Sequence, residues 1–359
     1  MARIVIAAGG TAGHVVPAIA VADALRAEGA QVSFVGGQRA EAELVPAAGY
    51  PLDPIRVEGI SRSDPVKALR ALAKAGPAVR SSIRIVRSRR ADAVLGGGGY
   101  VAGPVGLAAL LCRRPLVLTE ADSHMGLSNR LLAPRAQRVC LAFPIPGRDG
   151  ERYLVTGRPV PPRVADRGPA RAALGIGPDE LCVLVFGGSL GARSINLAAV
   201  AAFADAPYRV LHIAGRRDFG ELRAPGPHYD LRDYVQPFGE ALAAADLAVA
   251  RAGGSIFELA QHGLPAVLVP YPHATADHQT ANARWMLDGG AAVALADGEL
   301  TPERLRGEVD AVLLDPERLA AMAAASARLA RPDAARDVAR AVLGAALRRS
   351  TGAEPAPNP

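Results

Sequence analysis

Residues Arg3–Leu25 read RIVIAAGGTAGHVVPAIAVADAL: five strand-forming residues (Arg3–Ala7), a turn holding Gly9, Gly10, Thr11, Ala12, Gly13 and His14, then an amphipathic, alanine-rich stretch. A strand that passes through glycines into a helix is the first step of a doubly wound sheet, because parallel strands need helical crossovers that cover both sheet faces. The same alternation continues outward, with apolar runs at Val32–Val35, Ala93–Leu95, Pro115–Thr119 and Arg138–Leu141. These runs are too continuously apolar for half-exposed strands and read as buried parallel ones. A second series follows at Cys182–Phe186, Arg209–Ile213, Leu247–Ala250, Ala266–Val269 and Ala291–Ala294. The expected fold class is therefore α/β, two successive Rossmann-like doubly wound domains.

Between the two series, TGRPVPPRV (Thr156–Val164) interrupts the periodicity with three prolines and a glycine, and is expected to be the join and the hinge. After Leu314 only helical segments remain, ending in Asp333–Arg349, and Thr351–Pro359 reads as a frayed tail. The expected division is 1–158, 164–332, a C-terminal helix at 333–350 and a tail at 351–359.

Composition narrows the function. The 359 residues suffice for two ordinary domains, and 50% hydrophobic against 21% charged residues excludes disorder. Cys112, Cys140 and Cys182 are dispersed without a C-x-x-C spacing, which argues against a disulfide framework or a zinc site and suits a reducing cytoplasm. The first apolar run meets glycine after about five residues, too short for a signal sequence or a spanning helix. Of the net +6, residues 1–160 carry +9 (21 basic, 12 acidic), so the remainder is −3. Such asymmetry predicts an anionic partner for the first half: nucleic acid, a membrane surface or a phosphorylated substrate.

Glycine turns carry the chemistry. The order G-G-x-x-G at Gly9–Gly13, with no acid beside Gly36-Gly37-Gln38, disfavours a dinucleotide. His14 reads either as a general base entering an interdomain cleft or as a helix-capping histidine. Gly96–Gly99, followed by Tyr100, is a second turn on the same sheet edge, where open α/β sheets bind ligands. Glu120, Asp122 and His124 end a strand and are candidates for binding an acceptor sugar or assisting its deprotonation. In the second half Gly187, Gly188, Ser189, Gly191 and Ala192 stand between a strand and a helix, the arrangement that stabilises a diphosphate through N–H groups without an obligatory metal. The Lys-Ser/Thr of a P-loop is missing, which argues against triphosphate chemistry. Gly253, Gly254, Ser255 and Glu258 open another helix, where Glu258 is either a ribose-binding carboxylate or an ordinary first-turn acid. Asp277, His278, Gln279 and Asn282 suit sugar hydroxyls. The span 64–90 holds eight basic residues against Asp64, interleaved with Leu69, Leu72, Val79, Ile83 and Val86. Its pattern is that of a helix on anionic lipid, with a solvated basic face as the rival reading; without aromatics to stack on bases, nucleic acid is disfavoured.

Taken together and in order, GGTAGHVVPAIAVA, GGGGYVAGP, FGGSLGARSIN, ARAGGSIFELAQHGLPAVLVP and DHQTANA closely resemble the MurG family, undecaprenyldiphospho-muramoylpentapeptide β-N-acetylglucosaminyltransferases of bacterial wall synthesis, over roughly residues 3–345. The resemblance implies a GT-B fold, an acceptor domain followed by a UDP-N-acetylglucosamine domain, with the last helix returning to the first. It implies Thr11, Ala12 and Gly13 near the donor sugar and diphosphate, His14 as the favoured base, and Ser189 at the phosphate. It also implies Gly239 by the uracil, Gly254, Ser255, Ile256, Phe257 and Glu258 around the nucleoside, and Gln279 at the sugar hydroxyls.

The implied partners are UDP-N-acetylglucosamine, undecaprenyl-linked lipid I, an anionic inner-leaflet surface reached through 64–90, and other wall-synthesis proteins. No nucleic acid and no cofactor or metal beyond the sugar nucleotide is implied, and the implied location is peripheral, on the cytoplasmic side of the cell membrane. Four departures stand out. Ala12 replaces a usual glycine; Thr119-Glu120-Ala121-Asp122 stands where the family has His-Glu-Gln-Asn; Pro161 replaces an arginine, leaving Arg158 or Arg163 for the phosphate; and the loop before Glu258 is one residue shorter. Open alternatives are a related enzyme with another lipid or natural-product acceptor, a UDP-sugar epimerase, and a non-catalytic UDP-sugar-binding membrane module.

Overall fold

The computed structural model describes residues 1–57, 65–164, 166–188, 190–274 and 277–350, without the side chains of 65–75, 349 and 350. Two units emerge, the first running from Met1 to Val160 and resuming at Pro332, the second spanning Pro161–Arg331.

Unit 1 holds a seven-stranded, all-parallel sheet in the order β3-β2-β1-β4-β5-β6-β7. The strands are β1 (Arg3–Ala7), β2 (Gln31–Gly36), β3 (Leu52–Pro54), β4 (Ala93–Gly96), β5 (Leu116–Glu120), β6 (Arg138–Leu141) and β7 (Tyr153–Val155). Helices α1 (Ala12–Ala27), α2 (Ala40–Ala47), α3 (Pro65–Ser88), α4 (Ala102–Leu111) and α5 (Leu127–Leu132) connect them. Successive residues of a strand face opposite ways, so β1 feeds two cores. Ile4 and Ile6 pack with Val15, Val21 and Leu25 of α1, whereas Val5 and Ala7 pack with Val101, Val105 and Val86 on the other face.

Unit 2 repeats the plan with six parallel strands in the order β10-β9-β8-β11-β12-β13. These are β8 (Cys182–Phe186), β9 (Arg209–Ile213), β10 (Tyr229–Arg232), β11 (Leu247–Ala250), β12 (Ala266–Leu268) and β13 (Ala292–Ala294). Its helices include α6 (Arg167–Ala173), α7 (Arg193–Ala202), α8 (Phe238–Ala244), α9 (Ile256–His262), α10 (His278–Asp288), α11 (Pro302–Leu313) and α12 (Pro316–Leu329). The last two begin by the same chemistry: Thr301 and Asp315 accept the N–H of Arg304 and Arg318, and a proline follows each cap. Helix α13 (Ala334–Ser350) buries Val338, Ala339, Val342, Ala345 and Ala346 in the core of unit 1.

In both sheets the strand order reverses beside the first strand, between β1 and β4 and between β8 and β11. The glycine turns thus leave the carboxyl ends of the strands that flank the switch points, where an open sheet forms a binding crevice.

The interior strands coincide with the apolar runs of the sequence, whereas β3, β7 and β10 were not expected. All three are sheet edges of three or four residues, LDP, YLV and YDLR, and little of them is buried. A charge or proline is tolerated there because one side of the strand lacks a partner.

Candidate active site

At the switch point of unit 1, Thr11 precedes α1 and Ala12 opens it, so Ala12 takes helical backbone and needs no glycine freedom. His14 lies in the first turn of α1, half-buried, with Nδ1 3.3 Å from the Thr11 hydroxyl. Its ring packs on Gly98, where a Cβ would lie 2.7 Å from the His14 Cδ2 and where φ is +99°. Burial, reinforced by the cation of Arg158, holds the imidazole below its ordinary pKa; Asp122 and Glu41 oppose this more weakly. Burial and Arg158 both favour the neutral imidazole.

Arg158 follows β7 and is buried. Its guanidinium donates to the Gly13 carbonyl and, at 3.3 Å, to the Ala121 carbonyl, joining the turn after β1 to the turn after β5. A slot of about 20 Å3 lies between these turns, lined by Gly13, Gly97, Thr119, Ala121, Gly157 and Arg158. Another cavity, of about 500 Å3, opens at the opposite, amino-terminal edge by Arg3, Arg26 and Arg89. Each of those arginines is paired with an aspartate, Asp92, Asp23 and Asp53, so the charge there is already balanced.

Glu120, an acid–base candidate from the sequence, is engaged by its own loop. Its Oε1 accepts the N–H of Ala121 at 3.0 Å and of Asp122 at 3.4 Å, and its Oε2 accepts Gly126 N–H at 2.8 Å and Asn129 Nδ2 at 3.0 Å. Burial raises its pKa, but these four bonds spend its acceptor capacity on its own loop, which it shapes. Asp122, in that loop, acts on His14 electrostatically, as Glu41 does.

Glu41 was not singled out in the sequence, yet it organises the switch point. Fully buried in the first turn of α2, it accepts Gly10 N–H through Oε2 at 2.8 Å, and through Oε1 it accepts Gly37 N–H at 2.8 Å and the Tyr100 hydroxyl at 2.7 Å. Burial works against its charge, but these three donors together keep its pKa below the usual carboxylate range. Burial and the bond to Glu41 push the Tyr100 phenol up to about 12. The sequence reading sought an acid at the end of β2; it stands four residues beyond Gly37, where the signal is an acid in the first turn of the next helix.

In unit 2 the turn after β8 leads into α7. At Gly187 a Cβ would lie 2.3 Å from Ala192 N, and at Gly191 (φ +78°) 2.0 Å from the Ala214 carbonyl, so both glycines are required by close backbone approach. Ser189, expected at the phosphate, lies outside the described residues. Beneath the turn, Asn196 donates to the carbonyl of Ala214 and to Asp218, so its Oδ1 accepts from Nε2–H of buried His212, whose Nδ1 accepts the Tyr229 hydroxyl. Burial lowers His212 to about 4, which keeps it neutral.

After β11, Arg251 reaches Asp297 beyond β13 at 2.6 Å, the Ser194 hydroxyl of α7 at 2.8 Å and the Val269 carbonyl after β12 at 3.0 Å, bracing these segments together. Gly254 and Ser255 precede α9. The side chains of Ile256 and Phe257 go into the core, Phe257 stacking on Trp285 at 4.7 Å, so only their backbone is available to a ligand. Glu258 is half-buried on the first turn of α9. Gln279 Oε1 accepts Tyr271 N–H at 2.9 Å, and its amide nitrogen lies 4.0 Å from where a Gly253 Cβ would stand. Gly239, in α8, lies near Val164 and His262. The structure thus gathers His14, Asp122 and Arg158 in unit 1, and Gly253 and Gln279 in unit 2.

Of the basic span 64–90, Asp64 and the side chains of Lys67, Leu69, Arg70, Leu72 and Lys74 lie outside what is described. Further along α3, Val86 is buried against unit 1 and so is not part of an exposed apolar stripe; Val79 and Ile83 are half-buried. Arg80, Arg84, Arg87 and Arg90 are exposed, while Arg89 pairs with Asp53 at 2.7 Å.

Comparison with known proteins agrees with this anatomy. Residues 4–141 match the glycosyltransferase family 28 N-terminal domain and residues 182–338 its C-terminal domain. A UDP-N-acetylglucosamine–N-acetylmuramyl-(pentapeptide) pyrophosphoryl-undecaprenol N-acetylglucosamine transferase of Moorella thermoacetica is 41% identical, covering 95% of this chain and 98% of its own length. The transferase of the same name from Alkalilimnicola ehrlichii is 43% identical with the same coverage. Among solved structures, Acinetobacter baumannii MurG superposes with a TM-score of 0.74 at 31% identity, covering 95% of this chain and 99% of that one. A putative UDP-N-acetylglucosamine 2-epimerase of Listeria monocytogenes, at 15% identity and a TM-score of 0.71, shares the fold alone. With both halves matched in order and near-complete coverage by its relatives, the chain belongs to the MurG family of GT-B glycosyltransferases.

Proposed function

We propose that this chain transfers N-acetylglucosamine from its UDP sugar to the C4 hydroxyl of the muramoyl residue of undecaprenyl-linked lipid I, giving lipid II with inversion. The observation that carries this reading is the His14 imidazole packed on the Gly98 turn at the switch point of unit 1, in a chain whose relatives, matched nearly end to end, are transferases of that name. The acceptor oxygen forms a bond to the anomeric carbon as the carbon–oxygen bond to the diphosphate breaks, and UDP leaves with the electron pair. The acceptor proton passes to His14 Nε2. For that nitrogen to accept, Nδ1 carries the hydrogen and donates it to Thr11 Oγ1. Asp122 then stabilises the imidazolium.

Charge on the departing diphosphate is met by N–H groups at the head of α7, so this reading invokes no metal. Glu258 accepts the ribose hydroxyls, and the amide of Gln279 addresses the sugar. Among the described residues no helix is long and apolar enough to cross a membrane. The exposed arginines of α3, together with exposed Leu107 and Leu111 on the neighbouring α4, support docking to anionic lipid at the cytoplasmic face.

The test is UDP release by the purified protein, with and without a short-chain lipid I analogue and with EDTA present. Release only with the acceptor is expected; conversion of the donor without it would favour an epimerase. Donor binding without turnover would point to another acceptor, selected by the altered Thr119–Asp122 segment.

Two further outcomes follow. Arg158→Met removes the cation beside His14, so the imidazole pKa rises and the acid limb of the kcat/KM profile moves to higher pH. An unmoved limb would show that Arg158 does not act on the catalytic base. Replacing Arg84, Arg87 and Arg90 with glutamate should weaken binding to phosphatidylglycerol vesicles by about 10²-fold or more, from about 1 kcal/mol per basic residue. Turnover of a soluble acceptor should be retained. Unchanged sedimentation with vesicles would leave those arginines as a merely solvated face.

A further inference from the structure

We propose that Glu41 is a positioning residue for His14, holding the two turns between which the imidazole is packed. This rests on the reading of His14 as base. One carboxylate oxygen binds Gly10 N–H in the turn that leads into Thr11 and His14; the other binds the Tyr100 hydroxyl next to the Gly98–Gly99 turn on which the His14 ring lies. The two turns also meet directly, since a Cβ on Gly99 would stand 1.9 Å from the Gly9 carbonyl. Gly37 N–H is the third donor and ties the exit of β2 to the same carboxylate. Spacing of the turns, and with it the place of the His14 ring, is thus set by one side chain.

The surrounding glycines fit this side chain closely. A Cβ on Gly9 would lie 2.9 Å from Glu41 Oε1, on Gly36 2.7 Å from Glu41 Cγ, and on Gly37 1.9 Å from the Tyr100 hydroxyl oxygen. In a sheet of this topology the N–H groups of the first glycine turn ordinarily meet a ligand's anion. Here a resident carboxylate takes Gly10 N–H, and Gly9 and Gly10 face Glu41 and Tyr100. A buried, ionised carboxylate with three donors is costly to break, which makes it a firm reference point for a catalytic group.

The charged groups acting on His14 are Arg158 after β7, Asp122 after β5 and Glu41 on α2. Glu41→Gln keeps the volume but sets an amide N–H₂ against donors that need an acceptor. Since a misplacement of about 1 Å can cost about 10²-fold in rate, kcat should fall about tenfold to 10²-fold, with KM for UDP-N-acetylglucosamine unchanged. Loss of the negative charge should also move the acid limb of the kcat/KM profile to lower pH, opposite to Arg158→Met, a displacement that loosened packing alone would not produce.

Tyr100→Phe removes one donor and keeps the ring; a smaller loss of kcat, about threefold to tenfold, is expected. It carries the test alone should Glu41→Gln not fold. Parent-like kcat in the folded variants overturns the proposal. His14→Ala is measured beside them: if it retains full activity the underlying reading fails, whereas an inactive His14→Ala with parent-like Glu41→Gln and Tyr100→Phe removes only the role of Glu41.

Discussion

Replacing His14 with alanine is expected to lower kcat by about 10²–10⁴-fold, the usual contribution of a positioned general base, while UDP binding stays close to that of the parent. The two readouts separate because the imidazole belongs to unit 1, whereas the groups assigned to the nucleoside, Gly239 and Gly254–Glu258, belong to unit 2. A sugar hydroxyl is a weak nucleophile at neutral pH, so removal of its proton must accompany attack. His14 suits this task because burial and Arg158 favour its neutral form, and Asp122 lies close enough to stabilise the cation once formed. Steady-state kinetics with a lipid I analogue, paired with UDP calorimetry, checks both halves. Parent-level kcat would transfer the base to Asp122, since Glu120 is occupied by Ala121, Asp122, Gly126 and Asn129.

Glu258→Ala should act on the other substrate. Loss of hydrogen bonds to a charged group, at about 1.5–3 kcal/mol, raises the UDP dissociation constant about 10-fold to 10²-fold. At saturating donor kcat should change little, because an interaction made equally in ground and transition states alters KM alone. The helix that presents Glu258 is well anchored: Ile256 and Phe257 lie in the core, Phe257 stacks on Trp285, and the Glu258 carbonyl accepts from His262 Nδ1 at 2.8 Å. The carboxylate is therefore offered from a rigid element, and alanine removes it without loosening α9. Calorimetry with UDP reads the change directly; unaltered affinity would reduce Glu258 to a first-turn acid serving the helix dipole.

Much of the fold was legible because its interior strands are buried on both faces. A run such as Cys182–Phe186 has no polar position to obscure it, and the strand begins and ends at those residues. Of the edge strands, apolar β13 was legible at Ala291–Ala294, but β3, β7 and β10 escaped because they lack that signal: Leu52–Pro54 and Tyr229–Arg232 gain order from one neighbour each. The basic helix α3 was legible as amphipathic, but not which way it faces; Val86 turned out to serve the core.

The active site divides in the same manner. Glycine turns at strand ends, with His14, Glu258 and Gln279 beside them, are local patterns, and the family follows from their order along the chain. The role of a carboxylate is not local. Glu41 meets Gly10 across 31 residues and Tyr100 across 59, Arg158 meets Gly13 across 145, and Glu120 is consumed by a loop whose closure depends on Asn129. By itself the sequence determined the interior strands, the turns and the kind of chemistry, because burial and backbone freedom are written in residue type and spacing. Only the tertiary structure decided which charged groups face the imidazole and which are spent on holding backbone N–H groups, because that depends on which donors the folded chain brings within 3 Å of each carboxylate.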